Sequence, residues 1–187
     1  TDPIASILLY TVDPDILLGW NYELNEQEKE YILPEYHDLT VFGMGDNVNL
    51  EAIIKAAPQI CLQASSINEA EIAKADKLQS QLGIPVIIVN GDLDKTSETL
   101  QMLGDVLGMT ERTEEMRKYV DRFMELAAAL EVDGGERPAV YFGNGANSLE
   151  TAPDGSQAAA VFTLLKADNV AKVESEGARI QITMEQL

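Results

Sequence analysis

Asn49 and Ser65 bound the stretch that constrains this chain most, NLEAIIKAAPQICLQAS. Asn49 can cap a helix, and Glu51 falls in its first turn, where the helix dipole favours a carboxylate. Leu50, Ile53, Ile54 and Ala57 recur at helical spacing and give one apolar face. Pro58 cannot continue that helix. Ile60-Cys61-Leu62 is then an apolar run suited to a strand covered on both faces. It stops at Ala64-Ser65-Ser66, where an open α/β sheet presents ligand-facing loops at the carboxyl end of a strand.

The same alternation continues on both sides. Ile4–Val12 reads as a helix opened by Asp2-Pro3, Ile16–Trp20 as a strand, and Asn25–Ile32 as a short polar helix. Thr40–Phe42 is a brief extended segment that runs into the loop Gly43-Met44-Gly45-Asp46-Asn47. Asn68–Leu82 is a helix closed by Gly83, Val86–Val89 a β-branched strand ending at Asn90-Gly91, and Thr96–Leu107 a helix closed by Gly108. Strands alternating with helices imply a mostly parallel sheet.

The rhythm then changes. Glu111–Glu131 holds no Pro or Gly and places Met116, Val120, Phe123, Ala127 and Leu130 on one stripe. A helix of that length spans about 30 Å, which suits a strut better than a crossover. Asp133-Gly134-Gly135 ends it, and a second α/β unit starts: strand Pro138–Phe142, loop Gly143–Gly155, helix Ser156–Leu165. Ile182–Leu187 looks like the start of one more helix. The fold class expected is α/β: a Rossmann-like three-layer lobe with a parallel sheet over 1–110, its first strand missing, a connecting helix at 111–132, and part of a second α/β lobe over 133–187. Both ends read as cuts in a longer protein.

The net charge of −19 excludes nucleic acid and anionic membrane surfaces as partners, since both select basic patches. One cysteine, Cys61, excludes an internal disulfide framework and any multi-cysteine metal site, and its place in a strand makes it a core thiol. No run approaches the ~18–20 apolar residues of a membrane span.

Taken in order, Asn49-Leu50-Glu51, Ala57-Pro58 with its strand, Leu82-Gly83-Ile84-Pro85-Val86 and the long helix resemble the substrate-binding proteins of ABC importers for ferric siderophores, haem and cobalamin. Ser148-Leu149-Glu150-Thr151-Ala152, Gly155-Ser156 and Asp168-Asn169-Val170-Ala171 are similar to that family's second-lobe pattern. The resemblance implies a bilobal, helical-backbone binding protein. Its cargo would be a metal chelate (ferric siderophore, haem or cobalamin) held between the lobes and delivered to an ABC permease dimer. It further implies an exported protein, periplasmic or lipid-anchored on the outer face of the cytoplasmic membrane, monomeric, with no cofactor and no catalysis. In the family one glutamate on each lobe pairs with permease arginines. The matching positions are Glu51 and Glu185 in Thr183-Met184-Glu185.

Candidate ligand contacts are loops at strand carboxyl ends: Trp20 and Asn21; Met44, Asp46 and Asn47; Ser65; Asn90; and Asn144, Asn147 and Glu150. They are rich in Gly, Asn and Ser, which suits adaptable hydrogen bonding around a bulky ligand. Trp20 could stack on a macrocycle, although a half-buried framework role explains it better. No Arg precedes Arg112 and these loops hold no Lys, so a neutral hydroxamate-like or cobalamin-like complex is expected over an anionic catecholate.

Three rivals fare worse. Gly143-Asn144-Gly145 follows a strand, but the third glycine of a dinucleotide fingerprint is replaced by Ser148. A bare-metal carrier wants several histidines, and only His37 is present. No catalytic triad can be drawn from Cys61 and His37.

Overall fold

The computed structural model describes residues 2–132, 135–173 and 179–186. Contacts group the chain into two compact units. Unit 1 is Thr1–Gly91 with Met102–Thr113; unit 2 is Asp92–Gln101 with Glu114–Leu187.

Unit 1 opens with α1 (Pro3–Val12), started by Asp2, whose Oδ1 accepts from the Ala5 amide at 2.9 Å. The segment expected as a strand over Ile16–Trp20 is different. Asp13 caps a 3-10 turn at Pro14–Ile16, and only Gly19–Trp20 forms β1. The Asp13 carboxylate holds the Asp15 amide at 3.0 Å and Pro14 presets φ, so local turn chemistry wins over β propensity. The polar helix shrinks likewise to α2 (Glu26–Lys29), built on an Asn25–Glu28 capping box and followed closely by Pro34. Next come β2 (Thr40–Val41), α3 (Leu50–Ala56), β3 (Cys61–Ser65), α4 (Glu69–Leu82) and β4 (Val86–Asn90). Asn49 caps α3 as read from sequence, Asn68 caps α4, and Gly83 closes α4 in the left-handed region, as expected.

Two parallel strand pairs result, β1–β2 and β3–β4, the second with five residues in register from Cys61↔Val86 to Ser65↔Asn90. Because side chains alternate across a strand, β3 serves two cores. Leu62 and Ala64 pack with Ala5 of α1, Val89 of β4 and Leu103 of α5 (Thr96–Leu107), while Cys61 packs with Ile53 of α3 and Leu82 of α4. Helices therefore cover both faces of β3–β4, which is the three-layer arrangement. A fully buried Leu or Val contributes about 1.5–3 kcal/mol, so Leu62, Val89 and Leu103 are major contributors. A cavity of about 750 Å³, lined by Leu17, Val48, Ile53, Ile60, Leu62 and Leu107 among others, lies in this unit.

Helix α6 (Thr110–Ala128) starts in unit 1 and continues into unit 2. Its inward stripe is Thr113, Met116, Val120, Met124 and Ala127. Phe123 and Leu130, expected inward, are exposed; Phe123 is 54% accessible, its ring tilted 49° against that of Tyr119 with centroids 4.8 Å apart. The helix also stops at Ala128, where Lys166 Nζ donates to the carbonyls of Ala128 and Leu130, a cationic cap on its negative end. The expected stop at Asp133-Gly134 lies outside the described residues.

Unit 2 continues with β5 (Ala139–Val140), β6 (Glu150–Thr151), α7 (Ala160–Leu164), β7 (Asp168–Asn169) and β8 (Ile180–Gln181). β5–β7 is parallel and β6–β8 antiparallel. Strand and helix are both shorter than Pro138–Phe142 and Ser156–Leu165. The tail forms a 3-10 turn at Met184–Gln186 within its described part. No helix among the described residues is long and apolar enough to cross a membrane.

Candidate functional site

In unit 1 the sequence-derived candidates fall at the carboxyl ends of its strands, in two groups. Trp20 and Asn21, closing β1, are framework. Trp20 is 4% exposed, its indole N–H donates to Tyr36 O at 2.7 Å, and its ring lies 5.7 Å from Tyr10. Asn21 is buried too: its Oδ1 accepts from Ser6 Oγ at 2.7 Å and its Nδ2 donates to Gly43 O at 3.1 Å. That amide ties α1 to the loops after β1 and β2.

The second group gathers the loop after β2 and the ends of β3 and β4. After β2 the chain turns through Gly43, at φ +76°, where a Cβ would sit 2.1 Å from Asn47 O; only glycine fits. The turn displays Met44 and Asn47 to solvent, with Asp46 in the 3-10 turn Gly45–Asn47. At the end of β3, Ser65 Oγ is buried with no hydrogen-bond partner among the described residues. Such a hydroxyl costs about 1–3 kcal/mol unless something supplies the missing bond. Asn90, half-buried, is register partner to Ser65. Asp2 braces the same end, with Oδ2 accepting from Ala64 N at 2.7 Å.

In unit 2 the three candidates come together in one loop. Asn144 and Glu150 form an antiparallel bridge, Asn144 N to Glu150 O at 2.7 Å and Glu150 N to Asn144 O at 3.2 Å. Asn144 Nδ2 also donates to Glu150 Oε1 at 3.3 Å, and Asn147 Oδ1 accepts from Leu149 N at 3.1 Å to hold the turn. This loop leads into a strand bridge, not a helix N-terminus, so Gly143-Asn144-Gly145 is no phosphate cradle.

Sequence reasoning missed Arg179. Its Nη1 lies 3.4 Å from Glu150 Oε1, because β8 pairs antiparallel with β6 and brings Arg179 beside this loop. Only that pairing, foreign to a parallel α/β pattern, would have signalled it. The site thus holds a cation, contrary to expectation, but one matched by the Glu150 carboxylate. Arg137, which lines a cavity of about 560 Å³ in this unit, pairs with Asp168 at 3.4 Å and donates to the carbonyls of Lys166 and Ala167.

The docking candidates are exposed carboxylates in first turns: Glu51 in α3, and Glu185 in the turn Met184–Gln186. The backbone N–H of Glu185 and the Thr183 hydroxyl hold its carboxyl below the usual range. Cys61 is buried and its thiol is pushed up by desolvation, as befits a core residue. Among the described residues no group of three or more His, Cys, Asp or Glu is placed to hold a metal ion.

Residues 13–187 match the family described as periplasmic binding protein. No protein of curated function matches the sequence. Among solved structures the chain is similar to an ABC transporter solute binding protein from Sulfurospirillum deleyianum, at 24% identity and TM-score 0.83, over 100% of this chain and 60% of that one. It is also similar to the periplasmic vitamin B12 binding protein of Vibrio cholerae, at 18% identity and TM-score 0.70, over 99% and 69%. A third is the periplasmic heme-binding protein of Roseiflexus sp. RS-1, at 16% identity and TM-score 0.69, over 98% and 68%. The chain therefore spans about 60–70% of the length of these relatives.

Proposed function

The chain belongs to the periplasmic binding protein family, and from that membership we propose that the protein is the solute-binding component of an ABC importer. In this reading it is exported, captures a metal chelate and hands it to a membrane permease without performing chemistry. The observation that carries the reading is the family match over residues 13–187. The fold shared with structures described as binding haem and vitamin B12 supports the chelate class. Met44, Asp46, Asn47, Ser65 and Asn90 would contact it from unit 1, and Asn144, Asn147 and Glu150, with Arg179, from unit 2. Trp20 and Asn21 hold the unit 1 loops in place.

An uncharged complex is favoured. Arg179 is neutralised by Glu150, so these loops present no surplus positive charge to a multiply anionic catecholate. Calorimetric titration of the full-length protein with ferric hydroxamate, cobalamin, haem and ferric tris-catecholate tests this. Tightest binding is expected for an uncharged hydroxamate or cobalamin, at least tenfold (about 1.4 kcal/mol) above the catecholate. Preference for the catecholate would overturn the charge argument, and no binding of any chelate would overturn the importer reading.

Glu51 and Glu185 are proposed as the permease contacts. Both are exposed, rigidly started by their turns, and without an ion-pair partner among the described residues.

A further inference from the structure

We propose that the cavity beside the loop after β1 is an apolar anchor subsite for a benzene-sized ring carried by the solute. This rests on the importer reading and narrows its cargo. The cavity measures about 150 Å³, with Ile7 of α1, Trp20, Tyr22, Leu24, Tyr31 and Ile32 in its walls. Its floor is buried Trp20 and Ile32, while Ile7 (50% exposed), Tyr22 and Tyr31 (85%) stand at an open mouth.

Most polar side chains in the walls already hold a partner within the protein. Ser6 Oγ donates to Asn21, Asn21 Nδ2 to Gly43 O, and the Trp20 indole N–H to Tyr36 O. Tyr22 donates its hydroxyl to Glu28 Oε1 at 2.9 Å, and Glu28 Oε2 accepts from Asn25 N at 2.8 Å. A volume of about 150 Å³ is that of a cavity able to hold benzene. Three aromatic walls select an aryl group over an alkyl one, through offset or edge-to-face ring contacts. The cavity also lies at the carboxyl end of β1, the end at which open α/β sheets receive ligands.

The test uses the full-length protein and fluorobenzene, followed by its ¹⁹F signal. Saturable binding is expected. Ile7→Phe, at an exposed helix position, should fill the mouth and weaken it at least fivefold with an unchanged Tm; Tyr31→Ala, removing an exposed wall, should weaken it also. No saturable binding, or equal affinity in Ile7→Phe, overturns the subsite. A metal chelate bound equally by wild type and Ile7→Phe, and not displaced by fluorobenzene, overturns the subsite while the importer reading stands. Fluorobenzene binding with no chelate bound keeps the subsite and removes the importer reading.

Discussion

Gly104 shows how one residue settles a helix junction. It lies in α5, where a Cβ would meet Thr113 Oγ1 at 2.0 Å and Thr110 Cα at 3.2 Å. Thr113 is 2% exposed, with its hydroxyl donating to Thr110 O at 3.3 Å, so it cannot yield. Gly104→Ala gains about 0.8–1 kcal/mol in helix propensity but incurs overpacking of roughly 1–3 kcal/mol. Overpacking wins, and the urea midpoint of the full-length protein should fall. Adding Thr113→Ala should recover part of that loss; strict additivity of the two substitutions would refute the contact. Sequence alone marked the glycines that end helices, Gly83 and Gly108, because their place after an apolar run is itself the signal. Gly104, inside a helix, carried no such mark, since its partner lies in the next element.

At the scale of elements, two of the 3-10 turns of unit 1 are tied by a hydrogen bond. Tyr36, in Pro34–Tyr36, donates to Asp15 Oδ1 at 2.5 Å, in Pro14–Ile16. That bond, then burial and the Asp15 charge, push the Tyr36 phenol from 10.0 up to about 12. A raised folded value means the protonated phenol is the stabilising form. Its contribution is complete below pH 10 and is lost as pH rises from 10 through about 12. Wild type should therefore lose its stability advantage over Tyr36→Phe across that window; an advantage constant from pH 8 to 12 in equilibrium unfolding would show that the bond does not matter. Elements such as α3, β3, α4 and β4 were legible because period, cap and breaker agree in each. The β1 region was not, since an Asp-Pro turn overrode an apolar run. In α6 the stripe through Phe123 and Leu130 was misplaced. Only its inward contacts distinguish that face from the one through Thr113 and Met124.

Across the whole molecule, the importer function proposed above requires a permease partner. Substituting Glu51→Arg together with Glu185→Arg in the intact protein should abolish import while leaving chelate affinity unchanged, as read by transport assay beside calorimetry. Unimpaired import would remove the docking assignment. The α/β class, the helices on both faces of β3–β4 and the strand-end loops were all written into the order of apolar runs and caps, because these are local properties of the chain. Tertiary structure alone decided which loop residues are spoken for. Trp20 and Asn21 are consumed by bonds to Tyr36, Ser6 and Gly43. Ser65 is left with a buried hydroxyl in want of a partner, and Arg179 reaches Glu150 across 29 positions of sequence. Hydrogen bonds and ion pairs depend on distances between segments remote in the chain, and no periodicity records them.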